Sequence, residues 1–253
     1  MSIVSDIEKL KKEKNAVILA HYYVDEDVQD VADYIGDSFY LSKVATKVSQ
    51  DRIIFAGVEF MGESAKILNP KKRVFMPDMN ADCPMAHMAD KDEILALREK
   101  YDDIAVVCYI NSTAELKKYS DVCVTSSNAV KIVKNLPNKN IFFIPDRNLG
   151  SYVAKQCPDK NFIFNNGCCP RHVVITKDMV LKAKELHPEA RFAAHPECTE
   201  DVLALADYVG STSGIIDYVV DTDADEYIIG TVDGVFNDCL LYTSPSPRDM
   251  RRS

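Results

Sequence analysis

Residues 15–38, NAVILAHYYVDEDVQDVADYIGDS, decide the fold of this protein, because the same pattern returns twice further along the chain. Residues 104–127 read IAVVCYINSTAELKKYSDVCVTSS, and residues 190–213 read ARFAAHPECTEDVLALADYVGSTS. Each stretch begins with an apolar run, continues through polar residues into a helix-like segment with an Asp, and ends on hydroxyl side chains. The chain therefore contains three copies of one supersecondary unit.

The three copies share a constant internal spacing. In each copy, 17 positions separate a ring-bearing residue at the end of the apolar run from a hydroxyl residue. These pairs are His21 and Ser38, Tyr109 and Ser126, and His195 and Thr212. The repeat is longer than that of the usual solenoid proteins, so it predicts three small domains around an axis.

Apolar, β-branched runs alternate along the chain with stretches of helical period, such as residues 27–35, 93–101 and 200–209. This alternation predicts parallel sheets covered by helices, with ligands bound beyond the carboxyl ends of the strands. We therefore predict an α/β fold of three similar three-layer α/β/α subdomains, with parallel sheets around a pseudo-threefold axis. The predicted subdomains are residues 1–88, residues 89–174 and, as a partial third copy, residues 175–236.

The end of the chain differs from the three copies. From about Asn237 the periodicity disappears, and Ser, Pro and Arg become frequent. We predict that residues 237–253 form a non-native or disordered tail, which a truncation or a sequencing junction would explain.

Length and composition limit the class of protein. A chain of 253 residues with 47% hydrophobic and 27% charged residues has an ordinary globular composition. Its apolar runs are shorter than the ~20 residues needed to span a bilayer, and its polar start does not read as a signal peptide. We therefore expect a cytoplasmic protein that does not bind a membrane. A net charge of −9 also disfavours nucleic acid as a partner.

Eight cysteines without a secretory signal indicate metal, catalytic or buried thiols rather than disulfides. Cys83 and Cys169 differ from the others, because each precedes a proline and they lie 86 residues apart in the repeat. A third equivalent would fall just past the end of the chain, and Cys239 comes too early to replace it. Thiolates from three symmetric loops would suit a metal ion or an iron–sulfur cluster.

The remaining cysteines are weaker candidates. Cys168 is adjacent to Cys169 but is not followed by proline. The others are expected to be structural, with Cys108, Cys123 and Cys198 buried as small apolar residues and Cys157 at or near the surface.

Polar side chains follow the ends of the predicted strands. They form pairs two positions apart, so both members of a pair can face one pocket. The pairs are His21 and Tyr23, Tyr109 and Asn111, and His195 and Glu197. Imidazoles, phenols and a carboxylate at one site can move protons and orient carbonyl intermediates.

Hydroxyl residues open the helix-like stretches. They are Ser38, Ser126, Ser211 and Thr212. Hydroxyls and free backbone N–H groups at a helix start can bind carboxylate or phosphate, although ordinary helix capping is the simpler alternative. His172 either contacts the environment of the metal or caps a turn. Four further charged residues fit solvated faces, namely Glu59, Glu63, Lys11 and Lys71.

Several specific motifs occur together in this chain: AHYY, VQDVADYIGDS, AGVEFMGESAKIL, ADCPMA, CYINS, VTSSNA, GCCPRH, HPEC and GSTSGII. With these motifs the chain closely resembles the quinolinate synthase family, from the first repeat to about Gly234. The resemblance implies three similar α/β subdomains around a pseudo-threefold axis, in agreement with the repeat. The implied activity is that of a transferase in de novo NAD biosynthesis, which condenses iminoaspartate with dihydroxyacetone phosphate to quinolinate, phosphate and water.

The resemblance also implies an oxygen-sensitive 4Fe-4S cluster that acts as a Lewis acid and is held by one cysteine from each subdomain. Cys83 and Cys169 match two of these ligands, and the third cysteine ligand is absent from this chain. With two ligands the cluster would be weakly held or would need an exogenous thiolate. A chain of this extent could then fold without catalysing the reaction.

The resemblance assigns roles to the strand-end and hydroxyl residues. Those implied in proton transfer and isomerisation are Tyr23, Tyr109, His195 and Glu197. Those implied in substrate binding are His21, Ser38, Asn111, Ser126, Ser211 and Thr212. The implied partners are the two substrates and an aspartate-oxidising or aspartate dehydrogenase enzyme that hands over iminoaspartate.

Two other interpretations of the residues stay open. A metal-free protein could bind small dicarboxylates or phosphates in the threefold pocket, or a structural zinc ion could occupy the axis.

Overall fold

The computed structural model of the protein describes residues 2–235. The predicted tail at residues 237–253, including Cys239, lies outside the described residues. In the described part of the chain, no helix is both long and apolar enough to cross a bilayer.

Strands and helices alternate along the described residues. The strands are β1 (Ala16–His21), β2 (Tyr34–Gly36), β3 (Arg52–Ala56), β4 (Arg73–Phe75), β5 (Ile104–Tyr109), β6 (Val122–Val124), β7 (Asn140–Ile144), β8 (Asn161–Phe164), β9 (Arg191–Ala194), β10 (Tyr208–Val209) and β11 (Tyr227–Gly230). The α-helices are α1 (Ile3–Lys14), α2 (Glu26–Asp30), α3 (Ser38–Lys47), α4 (Glu59–Leu68), α5 (Lys91–Lys100), α6 (Ala114–Lys118), α7 (Ala129–Asn135), α8 (Arg147–Gln156), α9 (Lys177–Leu186), α10 (Glu200–Leu203) and α11 (Thr212–Asp221). Short 3-10 turns cover Pro84–His87 and Asp233–Val235.

The strands form three parallel sheets, one for each sequence repeat. The strand orders are β2-β1-β3-β4, β6-β5-β7-β8 and β10-β9-β11. In each sheet the apolar run of the repeat is a central strand with parallel neighbours on both sides. The prediction of three α/β units with parallel sheets is therefore confirmed, whereas the subdomain boundaries near residues 88 and 174 stay predictions.

An aspartate in each repeat joins an edge strand to the central strand. Its carboxylate accepts a hydrogen bond from a backbone N–H of the central strand, and its own N–H donates to the carbonyl of that same residue. The carboxylate contacts are Asp33 with Ile18 at 2.8 Å, Asp121 with Val106 at 2.7 Å, and Asp207 with Phe192 at 2.8 Å. The Asp of the sequence repeat is thus a repeated strand-pairing device.

The same aspartates shorten two predicted helices. Helix α2 ends at Asp30 and α10 ends at Leu203, and the residues after each turn form the strands β2 and β10. The prediction of helix throughout residues 27–35 and 200–209 is therefore wrong in the second half of each stretch. The reciprocal backbone bonds of the aspartates hold these residues extended, and this tertiary contact outweighs the apolar period. The third stretch, at 93–101, agrees with α5.

The central strands are buried on both faces, as is typical of parallel sheets between helices. Every residue of β1 and β5 is buried. Along β5 the side chains alternate, so that Val107 and Tyr109 pack in the same core as Cys169, while Val106 and Cys108 pack in the opposite core. The alternation therefore separates Tyr109 from the neighbouring thiol of Cys108.

The charged residues expected on solvated faces divide into two groups. Glu59 and Lys71 are exposed, as predicted. Glu63 instead accepts a hydrogen bond from the backbone N–H of Ala114 at 2.8 Å, and so links α4 of the first unit to α6 of the second. The side chain of Lys11 is only 10% exposed and is ion-paired with a carboxylate at 2.9 Å. For these two residues the prediction is wrong, because each has a partner on another element.

The structural cysteines agree with the predictions in part. Cys108 and Cys198 are buried, as expected. Cys157 is fully buried rather than near the surface, because it follows α8 into the core of the second unit. Cys123 is exposed rather than buried, because β6 is an edge strand of its sheet.

Candidate functional site

Predicted residues from all three units meet at the carboxyl ends of the central strands. His21 is the last residue of β1, Tyr109 is the last residue of β5, and His195 directly follows β9. All three side chains are buried. The hydroxyl of Tyr23 lies 3.3 Å from the hydroxyl of Thr212, so the first and third units contribute to the same site.

Glu197 lies at the centre of this site and is 2% exposed. Its Oε2 lies 2.7 Å from Nδ1 of His172 and 3.7 Å from Nδ1 of His195. The phenol of Tyr109, from the second unit, lies close enough to the same carboxylate to lower its pKa. Oε1 of Glu197 has no hydrogen-bond partner among the described residues. Buried acceptors without a partner are rare, so this oxygen is available to a ligand.

Glu197 is ionised despite its burial. Burial by itself would raise the pKa of this carboxyl, but the neighbouring imidazoles of His195 and His172 and the interaction with the Tyr109 phenol lower it to about 2. Burial also raises the pKa of the Tyr109 phenol well above its ordinary value. At neutral pH the site therefore pairs a charged proton acceptor with a protonated donor.

Two buried histidines of the site are neutral at pH 7. Burial lowers the pKa of His21 and of His195 to about 4. In both rings Nδ1 accepts a hydrogen bond from the backbone N–H two residues further on, at 3.2 Å from Tyr23 and 3.3 Å from Glu197. Because Nδ1 is an acceptor, the proton of each neutral ring is on Nε2. The spacing of two positions in the sequence thus sets the tautomer.

Replacing His21 with Gln is expected to reduce the loss of folding stability between neutral and acidic pH. The pKa of the folded ring is about 4 against an ordinary value of 6.5, so between these values the unfolded chain binds more protons. The free energy of unfolding that depends on the neutral ring is therefore fully present above pH 6.5. It falls as the pH decreases toward 4, by up to about 3 kcal/mol. Urea unfolding at about pH 7.5 and about pH 4.5 measures this loss.

The matched control for this prediction is His187→Gln. The side chain of His187 is 54% exposed, so its replacement should leave the loss between the two pH values unchanged. An equal loss in the wild type and in the His21 variant would contradict the prediction.

Three buried side chains of the site could hold a metal ion. The Sγ atom of Cys169 lies 3.1 Å from Nδ1 of His172. Together with Glu197 these residues offer three ligand atoms that lie within 4.8 Å of one another. Cys83, from the first unit, packs against the same core as Cys169. Burial raises the pKa of both thiols, so a bound cation is needed to displace their protons at neutral pH.

His172 belongs to this site, although the sequence leaves it between two roles. It is 1% exposed, and its ring is stacked on that of His195 with 4.7 Å between the centroids. Its Nε2 lies 2.9 Å from the hydroxyl of Thr231 in the third unit. The sequence signal was its position three residues after Cys169, which alone did not distinguish a site residue from a turn cap.

Asp146 is a site residue that the sequence analysis missed. It is fully buried and caps α8, where one carboxylate oxygen accepts the backbone N–H of Leu149 at 2.8 Å. The other oxygen accepts the backbone N–H of Cys169 at 2.8 Å, so the same carboxylate holds the cysteine loop. In the first unit the N–H of Cys83 donates instead to the carboxylate of the preceding residue, Asp82, at 2.7 Å. The signal in the sequence that could have identified Asp146 is its position as a polar residue just after an apolar strand.

The predicted hydroxyl residues lie at or near helix starts. Ser38 is the first residue of α3, and Thr212 is the first residue of α11. Ser211 is the N-cap of α11, where its Oγ accepts a backbone N–H at 3.3 Å. Ser126 lies in the turn before α7 and does not open the helix as predicted, because the side chain of Asn128 first closes a turn on the backbone.

Asn111 follows β5 as the second member of its pair. Its buried Oδ1 has no hydrogen-bond partner among the residues described. This atom, like the free oxygen of Glu197, is available to orient a ligand.

The chain is similar to known proteins over most of its length. Residues 5–243 match the family described as quinolinate synthetase A protein. The match extends beyond Gly234, where the motifs quoted from the sequence end. A protein of Fusobacterium nucleatum named quinolinate synthase is 61% identical over 229 residues, which are 90% of this chain and 76% of the relative. Proteins of the same name from Caldicellulosiruptor saccharolyticus and Clostridioides difficile are 54% and 49% identical, over 92% of this chain and 77% and 76% of their own lengths. These matches show that the chain belongs to the quinolinate synthetase A family.

Proposed function

We propose that the protein is an enzyme of NAD biosynthesis that condenses iminoaspartate with dihydroxyacetone phosphate to quinolinate, with release of phosphate and water. The observation that carries this proposal is the state of Glu197: ionised, 2% exposed and with one oxygen unpartnered among the described residues. Closing the ring requires removal of protons from carbon and protonation of hydroxyl groups that leave as water. The site contains an acceptor and donors for these tasks.

The acid–base roles follow from the protonation states. Glu197 accepts a proton at Oε1, and its other oxygen is held by His172. Tyr109, whose phenol is protonated and lies beside Glu197, donates a proton to a departing oxygen. His195 donates from Nε2, and Tyr23 acts through its hydroxyl, which lies beside that of Thr212. These four groups move protons between the substrate atoms and one another.

Substrate anions are held at the helix starts. Ser38 and Thr212 open α3 and α11, where free N–H groups and the positive end of the helix dipole favour carboxylate or phosphate. Ser211, which follows β10, and Ser126, which follows β6, contribute to the binding of the same anions. His21 donates from Nε2, and Asn111 orients the intermediate through its unpartnered Oδ1. The residues assigned to substrate binding are thus His21, Ser38, Asn111, Ser126, Ser211 and Thr212.

The donor set fits an iron–sulfur cluster. Cys83 and Cys169 offer soft sulfur ligands, pack against one core and require a cation to lose their protons. In this proposal they are two of the protein ligands of a 4Fe-4S cluster, with Asp146 holding the loop of Cys169 in place. When bound, the cluster supplies a Lewis acid that polarises substrate oxygens.

The proposed reaction is that of a transferase and needs a supply of iminoaspartate. Because imines hydrolyse in water, an aspartate-oxidising or aspartate dehydrogenase enzyme would hand the substrate over in the cytoplasm.

Anaerobic reconstitution with iron, sulfide and a small thiol tests this function. We expect broad visible absorbance, acid-labile sulfide and formation of quinolinate from the two substrates. Cys83→Ser should lose the absorbance and the turnover, because a hydroxyl is a poor ligand for iron in such clusters.

Cys157→Ser is the matched control: Cys157 is buried at the end of α8, outside the group of possible metal ligands formed by Cys169, His172 and Glu197, and its replacement should leave both signals unchanged. Turnover by a colourless protein would contradict the cluster. Zinc without labile sulfide would favour the structural zinc site, and tight binding of dicarboxylates without any turnover would favour a binding protein.

A further inference from the structure

Away from the site, two thiols face each other across neighbouring strands of the second sheet. Cys108 on β5 and Cys123 on β6 are direct partners in the parallel register. Side chains in register on adjacent parallel strands point to the same face, which here is the face opposite Tyr109. The two thiols interact closely enough for each to shift the pKa of the other. The proposed condensation does not use this pair.

The two thiols differ in their access to solvent. Cys123 is exposed on an edge strand, whereas Cys108 is fully buried behind it. An oxidant in solution can therefore reach one sulfur and leave the second as its immediate neighbour. Adjacent strands lie ~4.8 Å apart, within the ~4.4–6.8 Å between Cα atoms that a disulfide spans. The register therefore places the two Cα atoms within the range that a disulfide spans.

The surroundings favour a thiolate on this pair. The interaction with Cys123 is the main reason that the pKa of Cys108 is lowered to about 7, against the effect of its burial. The ammonium of Lys117 attracts negative charge on either sulfur, and is itself held by the hydroxyl of Ser64 at 2.9 Å. The hydroxyl of Ser112 also lowers the pKa of Cys108, and its buried Oγ has no hydrogen-bond partner among the described residues. Thiolates, and not thiols, react with oxidants.

We propose that Cys108 and Cys123 are a modification site, at which a peroxide oxidises the pair to a reversible disulfide. The pKa of Cys123 is raised by its interaction with Cys108, so its proton first passes to the neighbouring Cys108 thiolate. The resulting thiolate of Cys123 attacks one oxygen of hydrogen peroxide, and the O–O bond breaks to give a sulfenic acid and, after proton uptake, water. The sulfur of Cys108 then attacks the sulfenic sulfur, and the S–O bond breaks to release a second water. Two thiols and one peroxide become one disulfide and two waters, with two electrons passing from sulfur to oxygen. A dithiol reductant reverses the reaction by exchange.

Peptide mapping of the protein treated anaerobically with hydrogen peroxide tests this proposal. Trypsin cleaves between the two thiols at Lys117 and Lys118, so the linked product is a pair of peptides, residues 101–117 and 119–131, that stay joined and resist alkylation until they are reduced. We expect this product in the wild type and equally in Cys157→Ser. In Cys123→Ser we expect Cys108 to be recovered as the free thiol, because peroxide cannot reach it.

Three outcomes would overturn the proposal. They are recovery of Cys123 as sulfinic or sulfonic acid without a link, a link between Cys123 and any other cysteine, or survival of both thiols after Cys83 has been oxidised. Because Cys123 is exposed, its replacement by Ser should preserve the fold, and the unfolding midpoint of the variant verifies this.

Discussion

Glu197→Gln is expected to lower kcat by roughly 100- to 10,000-fold while the protein stays folded. The amide has nearly the shape of the carboxylate, but it carries no charge and offers NH2 in place of one oxygen. The carboxylate is ionised because of its contacts with His172, His195 and Tyr109, and its free Oε1 is the proposed proton acceptor. The substitution removes that acceptor and leaves the surrounding core in place.

Steady-state formation of quinolinate by the reconstituted enzyme measures this effect, and the urea midpoint reports the fold. Glu59→Gln is the matched control, because Glu59 is exposed on α4 and should leave kcat unchanged. If Glu197→Gln keeps kcat within about threefold of the wild type, proton transfer at this carboxylate is excluded, because general acid–base groups contribute at least ~100-fold.

Phe142→Ala is expected to destabilise the protein by about 3–5 kcal/mol. Phe142 is fully buried on β7, an interior strand of the second sheet, and packs in one core with Val106 and Cys108 of the neighbouring strand. Truncation removes apolar contacts and leaves a cavity that the covered sheet cannot close.

Urea unfolding at neutral pH measures this loss. Phe39→Ala is the matched control: Phe39 is 36% exposed on α3, with the ammonium of Lys43 over its ring, and should lose less than about 1 kcal/mol. Similar losses for the two variants would show that the second core tolerates the cavity.

The constant spacing in the sequence predicted the architecture because each unit builds its own sheet. The apolar runs became the central strands β1, β5 and β9, and the residues at or just after their ends came to one site. The positions of His21, Tyr109 and His195 could be predicted from the sequence, because residues at the carboxyl ends of central parallel strands line the crevice at that edge of the sheet. Their roles in catalysis stay a proposal.

The errors in the predictions have a common cause. Apolar period alone suggested helix where Asp33 and Asp207 hold the chain extended, and residue type alone suggested burial for Cys123 and exposure for Cys157. Each outcome depends on a partner that is distant in sequence. The prediction that Glu63 lies on a solvated face was wrong for the same reason, because its hydrogen-bond partner is on the second unit.

The sequence by itself determined the three repeated α/β units, the parallel order within them and the polar residues at their strand ends, because these features depend on local period and on spacing within one copy. Only the tertiary structure decided which of these residues touch. The contacts of Glu197 with His172 and Tyr109, the bond from the Cys169 loop to Asp146, and the meeting of Cys108 with Cys123 join segments up to 88 positions apart. The charge of the buried carboxylate depends on its contacts with His172 and Tyr109, and these two contacts form only when the second and third units pack together.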